Sequence, residues 1–103
     1  ATAVQYGLPI VVIVINNGIF GTIRMHQERE YPGRVSGTSL HNPDFAALAR
    51  AYGGHAETVE TTGAFAPAFE RALASGKPAL IEIKLDPEAI TPTRTLSQIR
   101  ERR

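Results

Sequence analysis

The stretch Pro9-Ile10-Val11-Val12-Ile13-Val14-Ile15-Asn16-Asn17-Gly18 decides the fold. From Pro9 to Ile15 it is almost purely aliphatic, and Val and Ile dominate. Branching at Cβ stiffens the side chain and suits the pleated backbone. Apolar residues at successive positions imply cover on both faces, as in a parallel strand between helices. A buried helix is the competing reading, but the run is short and lies between Gly7-Leu8-Pro9 and Asn16-Asn17-Gly18. It therefore reads as a central parallel strand.

Upstream, Ala1 to Gly7 reads as the last turns of a helix ended by glycine. A chain that opens inside an element, with no initiator Met, is expected to be a fragment. Downstream, residues 20 to 29 carry helix formers with Phe20, Ile23 and Met25 as the apolar positions. Pro32, Gly33 and Gly37 break any pattern between Tyr31 and Thr38, which is expected to be a mobile surface loop. Asn42-Pro43-Asp44 is a helix start, with Asn42 as N-cap, Pro43 at the first position and Asp44 supplying favourable charge. That helix is expected over Pro43–Tyr52, burying Phe45, Leu48 and Ala49 and ending at Gly53-Gly54. A short strand is expected over His55–Val59, and a helix from about Thr62 to Ser75 with Phe65, Phe69, Ala72 and Leu73 on one face. Pro67 is expected to separate or kink its first turn. A last strand runs from Ala79 to Leu85, where Glu82 and Lys84 alternate with aliphatics and suggest a sheet edge or an interface.

The alternation gives an α/β fold, a parallel sheet with flanking helices. Residues 1–85 form the expected domain and 86–103 a C-terminal tail, with a short helix near Thr95 to Arg102 or an ordered arm on another chain. Eleven Lys and Arg against ten Asp and Glu leave a charge of +1 over 103 residues, which gives no footprint for nucleic acid. Cysteine is absent, excluding disulfides and thiolate metal sites. The longest apolar run, Leu8 to Ile15, falls short of the roughly 20 residues a membrane span needs. No signal-peptide pattern precedes it, and a cytoplasmic location is expected.

Ligands of open parallel sheets sit at the carboxyl ends of the strands, here the loop Asn16-Asn17-Gly18-Ile19-Phe20-Gly21. One of the adjacent amides can offer an oxygen to a hard cation while the other anchors the turn, and Mg²⁺ shares its oxygen ligands with phosphates. Gly18 and Gly21 permit a close backbone approach. An ordinary Asn-Gly turn fits the same spacing, and spacing leaves both open. His26 suits proton transfer or an exposed helix face equally. Neither His41 nor His55 has ligand spacing, and Glu28, Arg29, Glu30 and Arg34 read as a solvated face and loop.

Gly7 to Gln27, with Asn42-Pro43-Asp44-Phe45-Ala46-Ala47-Leu48-Ala49, Tyr52-Gly53 and Gly76 to Ile83, resembles the C-terminal diphosphate-binding domain of thiamine-diphosphate-dependent enzymes. The likeness is to the acetolactate synthase, benzoylformate decarboxylase and pyruvate decarboxylase group. The family motif opens with Gly-Asp-Gly and closes with the double Asn; this chain has only the second half. The resemblance implies thiamine diphosphate and Mg²⁺ as cofactors, with Asn17, Gly18, Ile19, Phe20 and Gly21 around them. It implies Asn17 as a metal ligand through its side-chain oxygen and Ile19 through its carbonyl, Asn16 supporting the turn. The third ligand, the Asp of Gly-Asp-Gly, would lie upstream of Ala1. Thr22, Ile23 and His26 fall where relatives line the substrate pocket; acetolactate synthases carry a Met and a Trp at the positions of Thr22 and His26. Pyruvate decarboxylases carry a catalytic Glu at the position of Ile23, and the pattern Gly18 to Arg24 is closer to the benzoylformate decarboxylase type.

The resemblance further implies a 2-keto acid substrate, a catalytic Glu on another domain of a partner subunit, and a homo-oligomeric parent. No catalytic residue is assigned in this chain, and by itself it is expected to be inactive. The alternatives are a non-catalytic α/β binding domain that kept the fold, or a flavodoxin-like domain. The second requires a Gly-rich first loop and an acidic strand end, neither of which is present.

Overall fold

A computed structural model describes residues 1–101 as two compact units, one comprising residues 1–16 and 42–84, the other 17–41 and 85 onward. The first unit holds α1 (Thr2–Gln5), β1 (Val11–Asn16), α3 (Phe45–Ala51), β2 (His55–Val59), α4 (Thr62–Ala74) and β3 (Ala79–Lys84). The second holds α2 (Gly21–Glu30) and α5 (Leu96–Glu101).

The three strands form a parallel sheet in the order β1-β3-β2. Val11 pairs with Ala79 and Asn16 with Lys84, while His55 pairs with Ala79 and Val59 with Ile83. The last strand in sequence is thus central, and Ile81 at its midpoint is fully buried. This overturns the reading of Glu82 and Lys84 as edge residues, because strand order depends on which chains pair and not on the alternation within one strand. It also moves β1 from the expected centre to an edge among the described residues. Its aliphatics are correspondingly open: Ile13 is 44% exposed and Ile15 65%.

One core is built where α4 covers the sheet. Ala68 and Ala72 present small faces to Val59, Ala79 and Ile81, and Phe65 and Phe69 close the margin. The two rings stack with centroids 5.8 Å apart. Helical spacing of four residues brings them together. The helix runs on through Pro67, whose missing N–H falls in its early turns. After α3 the chain must reverse tightly, and Gly54 permits it: a Cβ there would stand 2.8 Å from the Pro78 carbonyl oxygen.

At the start of α3 the expected cap moves by two residues. Asp44, not Asn42, is the N-cap, its Oδ1 accepting the Ala47 N–H at 3.0 Å. Asn42 is used elsewhere, donating its Nδ2 to Asn16 Oδ1 at 2.8 Å.

In the second unit the segment expected to be a mobile loop is tied down. Tyr31-Pro32-Gly33-Arg34 makes a turn closed by Arg34 N–H to Tyr31 C=O at 3.0 Å, with Gly33 at φ 74°, as a type II turn requires. Gln27 Nε2 donates to Ser36 C=O at 2.7 Å, and the buried Thr38 hydroxyl donates to Gln27 Oε1 at 3.0 Å. Residues 86 to 101, read as a tail, contain α5, whose Leu96 and Ile99 are buried within this unit. Arg102 of the expected helix lies outside the described residues.

Candidate cofactor cleft

The double Asn divides its labour. Asn16 ends β1 and its side chain is engaged in the first unit, where Nδ2 donates to Glu82 Oε2 at 2.9 Å. Glu82 is buried, and its Oε1 also accepts the Phe45 N–H at 3.1 Å, the first amide of α3. Lys84 Nζ stands 3.2 Å from Oε2. Burial works against the charge on Glu82, but the donors Asn16, Lys84 and Phe45 outweigh it and hold the carboxyl below its ordinary value. Sequence reasoning missed this group, since its partners lie 37 and 66 residues away.

Asn17 opens the second unit. Its Oδ1 accepts the Ile19 N–H at 3.2 Å, an Asx turn in which Gly18 takes φ 71°. The turn is fastened by two further bonds: Leu40 N–H donates to Gly18 C=O at 2.9 Å, and Phe20 N–H to Thr38 C=O at 2.9 Å. These flank the antiparallel bridge between Ile19 and Ser39 and make it a non-hydrogen-bonded pair. The Ile19 N–H and C=O therefore both face away from Ser39, on the side where Asn17 Oδ1 is found. That amide oxygen has a second lone pair. Two neutral oxygens are thus offered on one side of the turn.

A cleft of about 500 Å³ adjoins them. Asn17, Ile19, Phe20, Gly21, Thr22 and Ile23 line it from one segment, and Leu85, Ala89 and Ile90 from the other. Gly21 is the narrow point: a Cβ there would stand 3.0 Å from Asn17 Nδ2 and 3.0 Å from Ile90 Cδ1. No side chain caps the start of α2, so its first-turn N–H groups are left for water or a ligand. Anions are favoured at such an end.

Of the residues singled out from sequence, the structure gathers Asn17, Ile19, Phe20, Gly21, Thr22 and Ile23 at this cleft. Gly18 shapes the turn without lining the cleft. His26 does not line it either; it is exposed, with Nδ1 3.5 Å from Arg29 Nη1. Leu85, Ala89 and Ile90 were not foreseen, and a segment broken by two prolines carries no periodic signal that would have marked them. Among the described residues no three His, Asp or Glu side chains converge as a metal cluster, and the cleft lining contains no carboxylate.

Residues 1–83 match the family model of the thiamine pyrophosphate enzyme C-terminal TPP binding domain. A probable acetolactate synthase of Mycobacterium bovis is 34% identical over 94 residues, 91% of this chain and 17% of that protein. Among solved structures, the thiamine diphosphate-dependent 4-hydroxybenzoylformate decarboxylase of Rhodococcus jostii superposes with a TM-score of 0.72 at 36% identity, over 82% of this chain and 16% of that one. Benzoylformate decarboxylase of Polynucleobacter necessarius gives 0.74 at 27% identity, over 88% and 17%. The chain thus spans about a sixth of the length of such relatives. Family model and parallel sheet agree: the chain belongs to the C-terminal TPP-binding domain family of thiamine pyrophosphate enzymes.

Proposed function

We propose that this domain holds the diphosphate of thiamine diphosphate, together with Mg²⁺, in an enzyme of the acetolactate synthase or benzoylformate decarboxylase type that acts on a 2-keto acid. The reading is carried by the pair of oxygens, Asn17 Oδ1 and Ile19 C=O, presented beside the uncapped start of α2. Both are hard, neutral donors of the kind Mg²⁺ accepts, and they would hold the cation beside the cofactor's phosphates. The residues present fit the group as part of its ligand set, because no carboxylate lines the cleft. The carboxylate that the family motif carries in its Gly-Asp-Gly would complete the site.

The cofactor supplies the carbanion chemistry when bound. What this chain does is bind and orient. The Asx turn fixes the Asn17 amide, so that its oxygen meets a cation with little loss of side-chain freedom. Gly21 keeps the floor of the cleft open, and the half-exposed Phe20 and Ile23 give it apolar surface. None of the cleft residues titrates near neutrality, so the acid and base of the reaction come from elsewhere in the parent enzyme and its partner subunit. On this reading the isolated chain binds the cofactor weakly and turns nothing over.

The test is a titration of the full-length protein with thiamine diphosphate and Mg²⁺. Asn17→Ala is expected to weaken Mg²⁺-dependent binding by about tenfold or more, the scale of one lost charge-assisted contact. His26→Ala is expected to change it less than twofold. Equal losses from the two substitutions overturn the ligand assignment.

A further inference from the structure

The second unit buries a carboxylate that cofactor binding leaves without a role. Glu28 was read from sequence as part of a solvated face, yet it is fully buried. Its Oε1 accepts from Arg24 Nε at 3.2 Å, and its Oε2 accepts from Arg100 Nε and from the Gly33 N–H at 3.4 Å. An ion is tolerated in such a place only when donors surround it. Here the donors come from α2 itself, from the turn behind it and from α5. One charge therefore joins three segments.

From α5 the connection continues to the cleft. Ser97 donates its N–H and its hydroxyl to the Glu88 carboxylate at 2.9 and 2.8 Å, and the Leu96 N–H donates to Glu88 C=O at 3.2 Å. The same carbonyl accepts the Ile90 N–H at 2.9 Å, and Ala89 N–H donates to Asp86 C=O at 3.0 Å. Ala89 and Ile90 are the cleft wall, and Ile90 reaches the narrow point at Gly21. Gly21 lies on the same helix as Glu28. A closed loop of contacts thus runs from Glu28 through Arg100, Ser97 and Ile90 back to Gly21.

We propose that Glu28 is a positioning residue for the cofactor cleft. By holding α5 through Arg100 it keeps Ala89 and Ile90 against Gly21, and so sets the width of the cleft beside Asn17 and Ile19, the two oxygens that would meet the cofactor's Mg²⁺. The ligand in this statement rests on the cofactor assignment above; the anchoring of the wall does not.

The test uses the full-length polypeptide with Glu28→Gln, which removes the buried charge, and Arg100→Gln, which keeps the carboxylate but removes its donor on α5. Hydrogen exchange without cofactor reads the wall directly. Both variants are expected to speed exchange in the 86–99 segment by about tenfold while leaving β3 unchanged, as for a local opening. Titration with Mg²⁺ and thiamine diphosphate is expected to show binding weakened by about tenfold, set against Arg71→Ala as a control. That control removes an ion pair with Glu57 in the first unit, and is expected to lower the melting temperature without moving the affinity. Unchanged exchange in 86–99 overturns the proposal, as does faster exchange with unchanged affinity. Affinity losses that merely track melting temperature in all three variants show Glu28 to be structural only. A wild type that binds no cofactor sinks the cofactor assignment itself, and the exchange result then decides alone whether Glu28 holds the wall.

Discussion

The two units are built on opposite plans. In the first, a parallel sheet and α4 enclose aliphatic side chains, and specificity comes from register: Ile81 sits between Ile13 on one neighbouring strand and Glu57 on the other. The second has no sheet among its described residues. Its chain is held by polar ties, a buried carboxylate, the Gln27 amide and the Thr38 hydroxyl, with Leu96 and Ile99 as its apolar contribution. On the proposed function the difference follows from what each unit would do: a sheet gives a stiff support, whereas a cleft for a charged ligand needs groups aimed at particular points. Directional bonds aim; apolar packing fills.

Core truncation separates the plans most sharply. Ile81→Ala, at a fully buried position of the central strand, is expected to cost about 3–5 kcal/mol, in the upper range for such deletions. Urea unfolding checks it, and a loss below about 1 kcal/mol would mean that the first unit does not depend on aliphatic packing.

Acid should act on the second unit through Glu28. The hydrogen bond from Arg100 is the largest influence and lowers its pKa; burial opposes this, and the Gly33 N–H and Arg24 add to the lowering below the ordinary 4.5. A depressed folded-state pKa stabilises above the unfolded value and is lost as pH falls through the folded one. Protection of the 86–99 amides is therefore expected to be flat at neutral pH and to fall below about pH 4.5. In Glu28→Gln the protection is expected to be low already at pH 7 and to lose part of its acid dependence. Glu88 also titrates low, through the Ser97 donors first, so some dependence remains. An unaltered profile in Glu28→Gln would remove Glu28 from the account.

The smallest effect belongs to the one cap in the first unit. Asp44→Ala is expected to cost about 1 kcal/mol, the usual value of an N-cap, measurable by thermal melting. A larger loss on Asn42→Ala than on Asp44→Ala would mark the Asn16–Asn42 bond as the more important tie.

Much of the sheet was legible in sequence for a plain reason. Aliphatic runs between glycines and prolines announce strands locally, and β2 and the start of β3 fall where the pattern puts them. Strand order was not legible, since β3 takes the centre through pairings with residues more than 20 positions distant. The Asn17–Gly21 half of the cleft was visible because one continuous loop supplies it. The Ala89–Ile90 half was hidden, because a wall is defined by what it faces. Asn42 looked like a cap until Asn16 claimed its amide, and Glu28 looked solvated because Arg100, its partner, is 72 residues away.

The open edge of β1 has a consequence for handling. Val11 to Ile15 offers five β-branched residues in a row, without charge, proline or bulge, and several are exposed. Such a segment is a template for cross-β growth, and natural edges are normally guarded against it. Preparations of the chain by itself are therefore expected to associate through this edge as concentration rises, which light scattering over a dilution series checks.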